Sequence, residues 1–105
     1  MSQENAHTSA QSAPHAQERK EESRHAVRGW LAERPTIAAH PKQILRGLNA
    51  GHEHDFTDAE IAAALAFLAG VKPEQVSVVC DEIGATNYYQ ITTAGTLAHE
   101  RDPLA

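Results

Sequence analysis

The sequence predicts a mainly α-helical α+β domain with one small β-hairpin. Two observations indicate this fold class. Apolar residues recur at helical spacing in three segments before residue 70. Two short runs rich in Val and Tyr then follow, separated by a turn at residues 84–86. The chain has 105 residues, a length that allows one domain.

The N-terminal segment, residues 1–22, is predicted to be a disordered tail; the alternative for residues 17–24 is an extension of the first helix. It consists mainly of Gln, Ser, Ala, His and Glu and has no apolar periodicity. Such a segment buries too little apolar surface to offset the entropy cost of ordering the chain. We therefore place the folded domain at residues 23–102 and a short C-terminal tail at residues 103–105.

The first two predicted helices are recognised from their apolar stripes. The first runs over residues 23–34, ends before Pro35 and is followed by a short extended link at residues 36–37. Its stripe consists of Val27, Trp30 and Leu31. The second helix has Pro41 in its first turn and stops near Gly51. Its core face consists of Ile44, Leu45 and Leu48.

The third helix has the clearest start signal in the chain. Thr57 and Glu60 have the spacing of a capping box, in which each side chain accepts a hydrogen bond from the other residue's backbone N–H. Phe56 and Ile61 have the spacing of a hydrophobic staple across this start. Gly70 closes the helix. Its core face consists of Ile61, Ala64, Leu65 and Leu68.

A hairpin and a last helix complete the predicted domain. Residues 75–83 and 87–91 are rich in β-branched and aromatic residues and are predicted to be the two strands. The turn between them consists of Gly84, Ala85 and Thr86. A last helix, capped by Thr92, continues to Arg101 and stops before Pro103.

Two motifs of the predicted domain are similar to those of a known family. One is Tyr88-Tyr89-Gln90-Ile91-Thr92-Thr93-Ala94-Gly95, an aromatic strand that leads into a helix start, and the other is Thr57-Asp58-Ala59-Glu60-Ile61. They resemble the wing-return strand and a helix entry in winged-helix transcription regulators of bacteria, the MarR, PadR and ArsR type. The resemblance covers about residues 23–101. It implies a winged helix in the order helix, strand, helix, helix, strand, strand, helix.

The resemblance implies a transcription regulator that binds DNA, commonly as a homodimer. In this family the third helix lies in the major groove, so its groove-facing residues here would be Ala59, Ala62, Ala63 and Ala66. The wing would consist of Gly84, Ala85 and Thr86. Four cations on the solvent faces of the first two helices would contact phosphates, the alternative being ordinary solvated surface. They are Arg24, Arg28, Lys42 and Arg46.

Charge and side-chain chemistry favour a second interpretation, a protein–protein interaction module on a winged-helix scaffold that has lost base readout. The formal net charge is −5, whereas domains that bind phosphate backbones are usually basic. Residues 23–101 alone contain seven basic and nine acidic residues, a net charge of −2. The alanine face offers methyl groups where base readout needs donors and acceptors, so it is suited to a partner helix. Trp30 is either a core residue or an interface anchor.

Two further features have residue types that occur in functional sites. The run His52-Glu53-His54-Asp55 has metal-ligand residue types, but it lacks a thiolate pair and is predicted to be a polar loop. Sensing of pH by the two imidazoles is the other alternative. Cys80, the single cysteine, lies in a Val-rich strand and is predicted to be a buried, inert thiol.

The sequence predicts a cytoplasmic protein that is not an enzyme and that has no metal or cofactor, because the motifs typical of such features are missing. The sequence contains no phosphate-binding glycine loop, nucleophile elbow or cysteine-pair motif. No apolar run reaches the roughly 18 residues of a membrane span. The N-terminus lacks the basic start and apolar core of a secretory signal.

Overall fold

The molecule is mainly helical and carries one two-stranded antiparallel hairpin, which confirms the predicted α+β class. The structure, a computed structural model, describes residues 2–81, 83–84 and 86–101, with side chains from residue 16 onward. The elements in chain order are α1 (Ser2–Ala32), α2 (Pro41–Asn49), α3 (Asp58–Gly70), β1 (Val76–Cys80), β2 (Asn87–Ile91) and α4 (Thr93–Arg101). Within the described residues, no helix is both long and apolar enough to cross a membrane.

Helix α1 begins far earlier than the sequence predicts, at Ser2 instead of Ser23. Residues 2–22, which the sequence predicts to be disordered, are therefore helical in the structure. The segment is rich in Ala, Gln and Glu, which are good helix formers, but it has no apolar stripe from which a packed helix could be recognised. From Ala16 onward, its side chains lie beside α3.

The core is mainly aliphatic and is assembled largely from the stripes that the sequence predicts. Its largest fully buried side chains come from α1, α2, α3 and β1, and they are Val27, Leu31, Ile44, Ile61, Leu65, Leu68 and Val76. Trp30 is only partly buried and packs against this core, together with Leu45 and Leu48. These contacts hold the three helices around one another and seat the hairpin against them.

Both helices that follow a loop start with a capping box. At α3, the Thr57 hydroxyl accepts from the Glu60 N–H at 3.2 Å, and the Glu60 carboxylate accepts from the Thr57 N–H at 2.9 Å. This confirms the predicted start. At α2, His40 plays the same part through its ring Nδ1, which accepts from the Lys42 N–H at 3.1 Å. Sequence reasoning missed this second cap because His is not among the usual capping residues.

The α2–α3 loop is closed by an asparagine rather than by the predicted glycine stop. Helix α2 ends at Asn49, and Gly51 does not have a positive φ. The left-handed residue is His52, with φ of 64°. The Asn49 amide forms two hydrogen bonds with the Phe56 backbone, donating to its oxygen at 3.0 Å and accepting from its N–H at 3.1 Å. The loop is thereby clamped just before α3.

The hairpin pairs Val76 with Ile91 and Cys80 with Asn87, so β1 is shorter than the predicted strand over residues 75–83. The link expected at residues 36–37 forms no strand; instead Ala39 makes an isolated antiparallel bridge to Tyr89, with N–H to oxygen distances of 2.8 and 2.9 Å. The predicted cap of the last helix is present, since the Thr92 hydroxyl accepts from the Gly95 N–H at 3.0 Å.

Gly95 allows α4 to pass close to the chain that precedes β1. A Cβ at this position would overlap the carbonyl oxygen of Gln75 and lie 2.7 Å from Ile91 Cδ1. A Cβ at Gly70, by contrast, would meet nothing within 4 Å. The docking of α4 on the hairpin therefore depends on a missing side chain.

We expect Gly95→Ala to lower the free energy of unfolding by about 1–3 kcal/mol, because overpacking forces backbone shifts. Gly70→Ala, the matched control, should leave it unchanged or raise it by up to about 1 kcal/mol. Urea denaturation of both variants provides the measurement. Equal stability of the two variants would show that α4 does not dock closely at Gln75.

Candidate interaction surface on helices α1 and α3

The outward face of α3 is a surface of methyl groups. All four residues predicted on this face are exposed, namely Ala59, Ala62, Ala63 and Ala66. The opposite face of the helix supplies Ile61, Leu65 and Leu68 to the core. The exposed face thus carries no hydrogen-bonding side chain over these two turns, and it permits close approach by another chain.

Arg19 of α1 binds the start of α3 in a way that the sequence did not suggest. Its Nε and Nη2 donate to the two Glu60 carboxylate oxygens at 2.6 and 3.0 Å. Nη2 also reaches the Asp55 carboxylate at 2.9 Å and the Asp55 carbonyl oxygen at 3.0 Å. The guanidinium lies 5.2 Å from the centre of the Phe56 ring. Sequence patterning offered no signal for this contact, because its partners are 36 and 41 residues apart.

The Glu60 carboxylate therefore accepts hydrogen bonds from two residues, Arg19 and Thr57. Hydrogen bonding from Arg19 holds the pKa of Glu60 below its ordinary value; partial burial opposes this, and the Thr57 N–H adds to it. The same contacts raise the pKa of Arg19, first through Glu60 and then through Asp55. The acidic start of α3 is thus partly neutralised by the helix beside it.

Arg24 and Arg28 turn toward neighbouring elements rather than toward open solvent. The Arg24 guanidinium lies 3.6 Å from the centre of the Phe67 ring on α3. Arg28 donates to Gln75 Oε1 at 3.1 Å and to His99 Nδ1 at 3.3 Å. The other two predicted phosphate contacts, Lys42 and Arg46, are exposed on α2. The structure thus divides the predicted set of four cations into two pairs with different surroundings.

Two cavities follow the line where α1 and α3 meet, and we call this line the α1–α3 groove. The cavity at the start of α3 has a volume of about 280 Å³ and is lined by Ala16, Arg19, Lys20, Ser23, Ala59, Glu60 and Ala63. The cavity at the end of α3 has a volume of about 330 Å³ and is lined by Glu21, Arg24, His25, Arg28, Phe67, Leu68 and Gln75. The groove thus borders the alanine face of α3.

The predicted wing carries no positive charge. Residues 73–100 contain neither Lys nor Arg. At the turn, the Asp81 carboxylate accepts from the Ile83 N–H at 3.2 Å, and the Ile83 side chain is 97% exposed. Gly84 is exposed and Thr86 is half-buried, whereas Ala85 lies outside the described residues. The turn therefore offers a DNA phosphate no cationic side chain.

The histidine-rich loop does not gather a metal-binding set. His54 stacks on Phe56 with ring centres 4.8 Å apart. Its Nδ1 lies 3.4 Å from a Glu22 carboxylate oxygen, near enough for an ion pair when the ring is protonated but without hydrogen-bond geometry. His52 is exposed. Across the described residues, no group of three or more His, Cys, Asp or Glu side chains is arranged to hold a metal ion.

Cys80 is exposed, contrary to the buried thiol that the sequence predicts. It is the last residue of β1, where the hairpin extends beyond the core, and the valines before it, Val78 and Val79, are also exposed. A Val-rich strand suggested burial along its whole length. Only Val76, at the start of the strand, reaches the core.

Comparison with known proteins found no similarity from which a family can be assigned. No protein-family model matches the chain, and neither a curated protein nor a solved structure is significantly similar to it. The proposed function therefore rests on the geometry of the described residues.

The Arg19–Glu60 contact should affect how the free energy of unfolding changes at acidic pH. Because the pKa of Glu60 is lowered in the folded state, the contact stabilises the fold fully above the unfolded pKa of about 4.3. This contribution is lost as pH falls through the folded pKa, since the unfolded chain then binds more protons. Arg19→Ala should therefore show a shallower loss of stability between about pH 5 and pH 3.

Urea denaturation across this pH range is the appropriate measurement. Lys72→Ala is the matched control, because Lys72 lies 3.7 Å from Glu74 in an exposed pair, and such pairs contribute little. The control should follow the wild-type curve. An Arg19→Ala curve parallel to that of the wild type would show that Glu60 is not held by Arg19.

Proposed function

We propose that this chain is a non-catalytic protein–protein interaction module built on a winged-helix scaffold, with the alanine face of α3 as its binding surface. The element order and the Ala39–Tyr89 bridge beside the hairpin support the scaffold. The observation that carries the function is the chemistry of α3, because the helix expected to read bases presents alanine methyl groups where base readout needs donors and acceptors.

The charge distribution supports this proposal over DNA binding. The start of α3 carries Asp58 and Glu60, and the nearest arginine, Arg19, is already engaged by carboxylates. Arg28 is directed toward Gln75 and His99. Affinity for DNA depends largely on cations that can reach phosphates, and these contacts engage Arg19 and Arg28 within the protein.

DNA binding, which the winged-helix resemblance implies, is the second candidate function. Lys42 and Arg46 favour it, because both are exposed and lie one turn apart on α2. Two such contacts would give a slope of log K against log salt of about −1.8. Binding of this kind would be weak and nearly independent of sequence.

Site-specific photo-crosslinking in cells distinguishes the two functions. A benzophenone amino acid at Ala62 should form adducts with protein that resist nuclease, because a partner chain would contact this face. The same group at the exposed Thr36, between α1 and α2, serves as the control and should not form those adducts. Nuclease-sensitive adducts at Ala62, or none that differ from the control, would contradict the proposal.

A binding titration with the purified chain provides the second arm. At roughly 50 mM salt, where basic contacts are least screened, we expect no binding of random duplex DNA tighter than about 10⁻⁴ M, the weak limit of ordinary nonspecific binding. Tighter binding that Lys42→Ala and Arg46→Ala together abolish would establish the DNA alternative.

A further inference from the structure

The α1–α3 groove has apolar residues of α3 on one side and two cations of α1, Lys20 and Arg24, on the other. Lys20 and Arg24 are four residues apart, so they lie on the same side of α1, one turn from each other. Lys20 lines the cavity that contains Ala59 and Ala63, and Arg24 lines the cavity that contains Phe67. The two cations thus follow the groove along its length.

The acidic groups of the groove leave these two cations without ion pairs. The Glu60 carboxylate is held by Arg19, and the Glu21 carboxylate accepts from Gln17 Nε2 at 3.2 Å. Among the described residues, no carboxylate lies within ion-pair distance of Lys20 or Arg24. The groove therefore offers unpaired positive charge on a chain whose net charge is −5.

The alanine face of α3 has the residue spacing that a partner helix requires, and two of its members, Ala59 and Ala63, line the groove. The four exposed alanines have the spacing i, i+3, i+4, i+7, so they form one continuous strip on α3 that lets a second backbone approach closely. Phe67 follows at the end of the strip and is 42% exposed, with one face covered by Arg24. An amphipathic helix binds such a groove through residues that recur at the same spacing.

We infer that the partner segment is an acidic amphipathic α-helix, which lays a strip of small and apolar residues on the alanines and places carboxylates at i and i+4 against Lys20 and Arg24. This inference rests on the proposed interaction function and specifies the chemistry of the partner. Charge complementarity selects this occupant, because a basic or neutral helix would leave both cations unpaired.

Selection from a displayed library of helical peptides, with the full chain as bait, tests the inference. Enriched peptides should carry Asp or Glu at i and i+4 beside an apolar strip, and their affinity should fall as salt rises. Lys20→Glu with Arg24→Glu should weaken binding at least about tenfold. Lys42→Glu with Arg46→Glu makes the same charge change on α2 and should leave the affinity unchanged.

The single variant Lys20→Glu controls for loss of folding, because Lys20 is exposed whereas Arg24 packs on Phe67. This single variant should also weaken peptide binding. Enriched peptides without the acidic pair, binding that ignores the α1 charge reversals, or no enrichment would overturn the inference. Displacement of the peptide by random duplex DNA in wild type, but not in the α1 variants, would overturn it as well. Protein adducts at Ala62 would still support the proposed function in all these cases.

Discussion

The constraint on which the proposed binding surface depends is the bidentate contact between Arg19 and Glu60, which joins the N-terminal part of α1 to the start of α3. Glu60 already completes the capping box of α3 with Thr57, so the same carboxylate fixes both where the helix begins and which neighbour it lies beside. Arg19 adds a bond to the loop before the helix, at Asp55. The start of α3 is thereby attached to α1 by charge, while its other face is attached to the core by apolar packing.

The proposed binding surface follows from this arrangement. Once Ile61, Leu65 and Leu68 face the core, the periodicity of the helix leaves alanines on the outside. Helix α1 lies along one border of that face, where Arg19 contacts Glu60, and the two helices form a groove there. The cations of α1 then line the groove, which is why charge and shape point to the same class of partner.

Local signals in the sequence predicted much of the fold. The apolar stripes of the three helices, the Thr57–Glu60 cap and the Thr92 helix start depend on residues within one or two turns of each other. The alanine face was predicted for the same reason. Each of these features is set by spacing along the chain, and each is present in the structure.

The features that sequence reasoning missed depend on contacts between distant residues. The N-terminal part of α1 has no apolar stripe of its own, and it meets α3 through Arg19, which lies 41 residues before Glu60. The surroundings of two predicted cations were missed for a similar reason, since the Arg24 guanidinium lies over the Phe67 ring and Arg28 donates to Gln75. Helical spacing indicates which residues share one face of a helix, but it does not indicate which other element packs against that face.

A double-mutant cycle between Arg19→Ala and Glu60→Gln tests the central claim most directly. Urea denaturation at pH 7 would give the unfolding free energies of the wild type, both single variants and the double variant. The structure predicts strong non-additivity, with the double variant losing clearly less stability than the sum of the single losses. Additive effects within experimental error would contradict it, because the Arg19–Glu60 contact would then contribute nothing to stability.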